Sequence, residues 1–151
     1  KGELPNFAPR GYLNIDKDGK IAGKQFDLNK QNALALLGRP LKRVEKDPYI
    51  APLILKMFEL MATGQTTLND LRETSSKWGL TGERSRKKLS KATIYRILTG
   101  PFYYGAIRWR GRIYEPLELP TETRHDPIIS RELFDRVQEE LWLRNRPVGV
   151  K

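Results

Sequence analysis

Cysteine is absent from the 151 residues, and histidine occurs once. Without thiols there is no disulfide framework, no thiolate zinc site and no cysteine nucleophile, and a reducing compartment suits the chain. Long apolar runs are missing too. A stretch such as Ile50 to Leu55 is far too short to cross a bilayer, and the amino-terminal residues carry no signal-type apolar segment. Together these deficits point to a soluble intracellular protein with no membrane partner, long enough for one domain with its own core.

A further deficit is local. From Arg84 to Tyr114 there is no Asp or Glu, while Arg84, Arg86, Lys87, Lys88, Lys91, Arg96, Arg108, Arg110 and Arg112 all fall there. Those nine leave 19 basic residues against 18 acidic ones elsewhere, so nearly all of the net charge of +10 sits in about a fifth of the chain. Concentrated positive charge attracts a polyanion, because neutralising phosphates releases condensed counterions. A solvated basic surface kept for solubility is the plainer explanation. The length of the acid-free run and its interleaved aromatics favour nucleic acid.

Residues 1–47 read as a loop- and hairpin-rich start. Pro5, Pro9, Gly11, Gly19 and Gly23 punctuate it, and DKDGK (16–20) is a turn signal between short extended pieces. Asp16, Asp18 and Gly19 open like a calcium loop, but its later ligands and closing Glu are missing, so a turn is the better reading. NKQNALALL, within residues 27–37, suits a short helix stopped by Gly38 and Pro40.

Residues 48–144 read as a helical core. Asp47 is placed to cap a helix that tolerates Pro48 and Pro52 in its first turn and carries Ile54, Met57, Phe58 and Met61 at helical spacing. Thr67 and Asp70 form a capping-box pattern for a second helix with Leu68, Leu71, Ser75 and Trp78 on its inner side. Ser90 then caps LSKATIYRILTG, where Ile94, Ile97 and Leu98 share one side and Ala92, Tyr95, Arg96 and Thr99 the other. Two short helices of which the second presents a small polar face suggest a helix-turn-helix, although the connection is longer than usual. YYGAIRWRGRIYEP predicts a hairpin turning near Arg110-Gly111, with Arg108, Arg110 and Arg112 on one face and Ile107, Trp109 and Ile113 packing. Ser130 caps a last helix to about Arg144, burying Leu133, Phe134, Val137 and Leu141.

Catalytic constellations are weak. Ser75, Ser76, Ser85, Ser90 and Ser130 fall at caps or in loops, and a triad drawn from five serines plus His125 and Asp126 is a free choice rather than a signal. His125 reads as a structural hydrogen-bonder before a helix, and adjacent Glu139 and Glu140 diverge on a helix, so no metal or other cofactor is expected.

The succession APRGY (8–12), LKMFELMATG (55–64), LSKATIYRILTGPFYYGAIRWRG (89–111) and HDPIISRELFDRVQ (125–138) resembles the recombinase domain of large serine recombinases, the integrases and transposon resolvases of phages and mobile elements. That resemblance implies one α+β, mostly helical domain over residues 1–151, with a helix-turn-helix-like core and a small β-hairpin or sheet. It implies binding of double-stranded DNA at half of an attachment site, in the cytoplasm and nucleoid of a bacterium, beside other recombinase subunits joined through domains not in this chain. Catalysis in the family belongs to a separate serine domain, and a cysteine-rich zinc domain follows. The chain thus reads as a piece beginning after the long linker helix, non-catalytic alone, with residues 21–44 as an insertion. The expected base or groove-edge contacts are Lys91, Thr93, Tyr95, Arg96 and Thr99. The expected phosphate contacts are Arg84, Arg86, Lys87, Lys88, Arg108, Arg110 and Arg112. A stand-alone helix-turn-helix regulator acting as a dimer is the alternative, followed by a basic RNA-binding protein that would expose Tyr103, Tyr104, Trp109 and Tyr114 on a sheet.

Overall fold

The clearest apolar period in the sequence becomes the central helix. In the computed structural model, which describes residues 9–16, 42–82, 85–121 and 124–145, helix α1 spans Ala51–Ala62 and buries Ile54, Met57, Phe58 and Met61. Its start lies later than the capping pattern suggested. Asp47 Oδ1 accepts the amides of Tyr49 at 2.8 Å and Ile50 at 3.2 Å, so the carboxylate closes the turn leading in, and only Pro52 lies in the first helical turn.

Helix α2, Leu68–Lys77, carries the full capping box. Thr67 Oγ1 accepts from the Asp70 amide at 3.0 Å, and Asp70 Oδ2 accepts from the Thr67 amide at 3.0 Å. The bond from the Thr67 amide, then its hydroxyl, holds the Asp70 carboxyl below the ordinary carboxylate range. Helix α3 is Lys91–Leu98 and helix α4 is Arg131–Asn145, the latter opened by Ser130 Oγ accepting from the Leu133 amide. Packing joins α1 to α4 and α2, and α2 to α3. No helix among the described residues is long and apolar enough to cross a membrane.

Two small antiparallel sheets complete the α+β fold among these residues. Strand β1, Tyr12–Asp16, pairs with β2, Lys42–Lys46, in a register running from Tyr12 opposite Lys46 to Asp16 opposite Lys42. Among the described residues β1 therefore pairs with a segment distant in sequence. The later segment brings Val44 onto the face of Tyr12, and both side chains are buried. The DKDGK turn, most of the inserted stretch at 21–44, its short helix and Arg84 lie outside the described residues.

The amino-terminal segment is fastened down at several points. Gly11 has φ of +102°, and a Cβ there would meet Ile54 Cγ1 at 3.0 Å and Ile128 Cδ1 at 3.1 Å, so both conformation and space call for glycine. Its carbonyl accepts from the Asp47 amide at 2.8 Å. The Tyr12 hydroxyl donates to Asp126 O and the Tyr103 hydroxyl to Arg10 O, each at 2.7 Å. Burial drives both phenols well above their ordinary pKa, which keeps them protonated donors.

Candidate nucleic-acid interface

Helix α3 is short and held from one side. Ser90 Oγ accepts from the Thr93 amide at 3.1 Å, Ile94 and Leu98 are fully buried and Ile97 nearly so, and Gln138 Nε2 donates to Leu98 O at 2.7 Å, tying its end to α4. The outer face is open as the helical wheel requires. Lys91, Tyr95 and Arg96 are exposed. Thr93 and Thr99 are half-buried with their hydroxyls engaged locally, Thr93 Oγ1 with Ser90 Oγ at 2.9 Å and Thr99 Oγ1 donating to Tyr95 O at 2.8 Å. Of the five expected groove contacts, three thus stand out and two are occupied at the rim.

The connection from α2 to α3 is a looped arm rather than a tight turn. Thr81 bridges Lys88, the Gly82 amide donates to Lys87 O at 2.9 Å, and Arg86 adopts φ of +55°. Arg86, Lys87 and Lys88 are all exposed along it. Lys88 Nζ lies 2.5 Å from Glu73 Oε1, and that bond, with the Lys88 charge, holds the Glu73 carboxyl below its ordinary range. Arg72 Nε donates to Leu89 O at 3.2 Å, which seats the end of the arm against α2.

Strands β3, Ile107–Trp109, and β4, Arg112–Tyr114, form the expected hairpin, with Arg110 and Gly111 at φ of +50° and +78° in its two-residue turn. The expected three-arginine face does not form. Arg108 pairs with Ile113 and Trp109 with Arg112, so Arg108 and Arg112 lie on opposite faces and Arg110 belongs to the turn. Because opposed residues share a face, Ile113 sits beside Arg108 and is 40% exposed rather than packed. Arg112 is already engaged, with Nη2 at 2.9 Å from Glu118 Oε2 and its guanidinium 4.5 Å from the Tyr114 ring centroid. Tyr103 and Tyr104 are buried, which removes half of the aromatic platform that single-stranded RNA would need.

Arg96, Arg108 and, from the amino-terminal segment, Arg10 all line a cleft of about 540 Å³ beside α3. Arg10 lies far from the basic run, so the clustering of charge in the sequence does not single it out. Its signal was the neighbouring Gly11, which pins that backbone against α1.

His125 is structural. Its ring stacks on Phe102 at 3.6 Å, stands edge-on to Tyr12, and donates from Nε2 to Phe102 O at 2.6 Å. Ser130, Ser90 and Ser75 serve local backbone. Among the described residues no group of three or more His, Cys, Asp or Glu is placed to hold a metal ion. Burial, opposed by the bond to Phe102, lowers the His125 pKa. Its unfolded-state pKa is about 6.5, so below that the unfolded chain takes up a proton that the fold refuses, and stability drops until the lower folded-state pKa is reached. Thermal midpoints at about pH 7.5 and about pH 5.5 should therefore diverge more for the parent chain than for His125→Gln, which keeps a donor for Phe102. Equal divergence would place the acid sensitivity elsewhere.

A family model described as Recombinase matches residues 48–144. No curated protein matches the chain. Two solved structures share the fold. One, from work on sequence requirements of the Listeria innocua prophage attP site, aligns with a TM-score of 0.51 and 21% identity over 66% of this chain and 37% of that one. The other, a crystal structure of an LSR-DNA complex, aligns with a TM-score of 0.50 and 21% identity over 66% of this chain and 28% of that one. The aligned part is well under half the length of either relative.

Proposed function

The chain belongs to the Recombinase family, and from that membership we propose that it is the module by which a large serine recombinase recognises half of a duplex attachment site. Residues 48–144 form the recognition core, and strand cutting belongs to a separate serine domain of the same enzyme. Its setting is bacterial chromosomal and mobile-element DNA, where other recombinase subunits pair the two half-sites. Helix α3 enters the major groove, with Lys91, Tyr95 and Arg96 facing base edges and Thr93 and Thr99 at the rim. Arg84, Arg86, Lys87, Lys88, Arg108, Arg110 and Arg112 position the backbone, which fixes register without reading sequence.

One observation carries this reading. The outer face of α3 is exposed and polar, while exposed cations flank it on the arm before it and the hairpin after it, with no acid in the run between Arg84 and Tyr114. In a dimeric regulator the same face would do the same work, so the decisive experiment concerns how labour is divided. On a half-site selected from a random duplex pool, Arg96→Ala should lose about 1 to 3 kcal/mol, and much less on random DNA, because arginine makes paired hydrogen bonds to guanine. Lys87→Ala should weaken both DNAs by similar factors and lower the salt slope by about one. Both changes delete one charge, so bulk electrostatics would make them alike. Equal losses from Arg96→Ala on both DNAs, with circular dichroism unchanged, would make α3 a backbone clamp.

A further inference from the structure

We propose that the cleft beside α3 seats the sugar-phosphate backbone of one DNA strand, with Arg10 and Arg108 as its phosphate ligands. This rests on the reading of the domain as a duplex DNA binder. The cleft's three guanidinium groups come from separate parts of the chain: the segment before β1, the middle of α3, and β3. Arg10 is planted there, since its Nη2 donates to Thr81 O at 2.8 Å and its carbonyl accepts from Tyr103. Among the described residues that line it there is no Asp or Glu.

The floor decides which ligand fits. Leu89, Ile97 and Phe102 line it, so an apolar surface lies inside a cationic rim. A lone inorganic anion would want polar groups throughout, and a stacked base would want an open ring face. Phe102 and Tyr103 are only 7% and 2% exposed, so neither offers one. Deoxyribose between successive phosphates presents C–H surface flanked by charge, which is the alternation the cleft provides. Arg96 stands on the helix side of the cleft and remains available to the groove. A strand held here would also set the angle at which α3 meets the bases.

The test measures binding to a random-sequence duplex across a salt series for Arg10→Gln, Arg108→Gln, their double variant and Arg136→Gln, an exposed cation on α4 outside the cleft. Glutamine at position 10 keeps an N–H donor for Thr81. Each cleft variant should weaken binding roughly ten-fold, as expected for a charge-assisted hydrogen bond, and lower the log–log salt slope by about 0.9, the double variant by about 1.8. Arg136→Gln should change neither appreciably. If the parent chain binds DNA while both cleft variants behave like Arg136→Gln, the seat is elsewhere and the DNA reading stands. If the parent chain binds no duplex at any salt, both readings fall. Should Arg10→Gln lose its circular dichroism spectrum, Arg108→Gln, on an exposed hairpin, decides alone.

Discussion

Raising salt from about 50 to about 200 mM is expected to lower affinity for duplex DNA roughly a thousand-fold if six cations meet phosphates, since log affinity falls by about 0.9 per neutralised phosphate for each ten-fold rise in salt. The six are Arg86, Lys87, Lys88, Arg108, Arg110 and Arg112, all exposed in the structure. Two of them complicate the expectation in a measurable way. Lys88 holds Glu73 and Arg112 holds Glu118, so each must exchange a carboxylate for a phosphate. These ion pairs are exposed and therefore weak, and exchange is the expected outcome. If both pairs persisted in the complex, four contacts would remain and the loss would shrink to about a hundred-fold. Fluorescence anisotropy across the salt series reads the slope directly. A flat response would mean that the basic surface does not meet phosphates.

Phe58→Ala should cost about 3 to 5 kcal/mol of stability, the ordinary range for removing a buried aromatic ring and leaving its cavity. Phe58 is fully buried, and its ring centroid lies 5.7 Å from that of Tyr103 and 6.5 Å from that of Phe134. It thus joins α1 to α4 and to the 3-10 turn Pro101–Tyr104 at the end of α3. Small domains hold only about 5 to 15 kcal/mol in total, so this one change would bring the fold near its limit. Tyr95→Ala is the contrast. Its side chain is 42% exposed, and the substitution should stay within about 0.5 kcal/mol. Urea unfolding followed by circular dichroism compares them. A loss below about 1 kcal/mol for Phe58→Ala would show that the core repacks around the gap.

The helices were legible because their signals are local. Thr67 with Asp70, Ser90 and Ser130 mark starts by side-chain bonds within three residues, and the buried faces of α1, α3 and α4 follow the 3.6 period. Strand partnership is not a local property. Nothing near Tyr12 announces that its partner will be Lys42–Lys46, because that choice is made by burial of Tyr12 with Val44 against the rest of the core. The hairpin arginines fail for a different reason. Alternation along Arg108, Arg110 and Arg112 assumes one continuous strand, but the turn consumes Arg110 and Gly111 and reverses the count. Two groups of site residues were visible as charge in the sequence. Arg10 was not, because a single cation distant in sequence gains meaning only when the fold brings it beside Arg96 and Arg108.

The turn at Pro101–Tyr104 gathers contacts from both ends of the described chain. The Tyr103 hydroxyl holds Arg10 O, while the amides of Ile128 and Ile129 both donate to the Tyr103 carbonyl, at 2.9 and 3.1 Å, just ahead of α4. One residue is therefore a shared anchor for the segment leading into β1 and the segment leading into α4. It lies directly after α3, with only Gly100 to Phe102 and the Thr99 cap between. A shift of either segment is therefore passed through Tyr103 toward α3, the helix proposed to meet the bases.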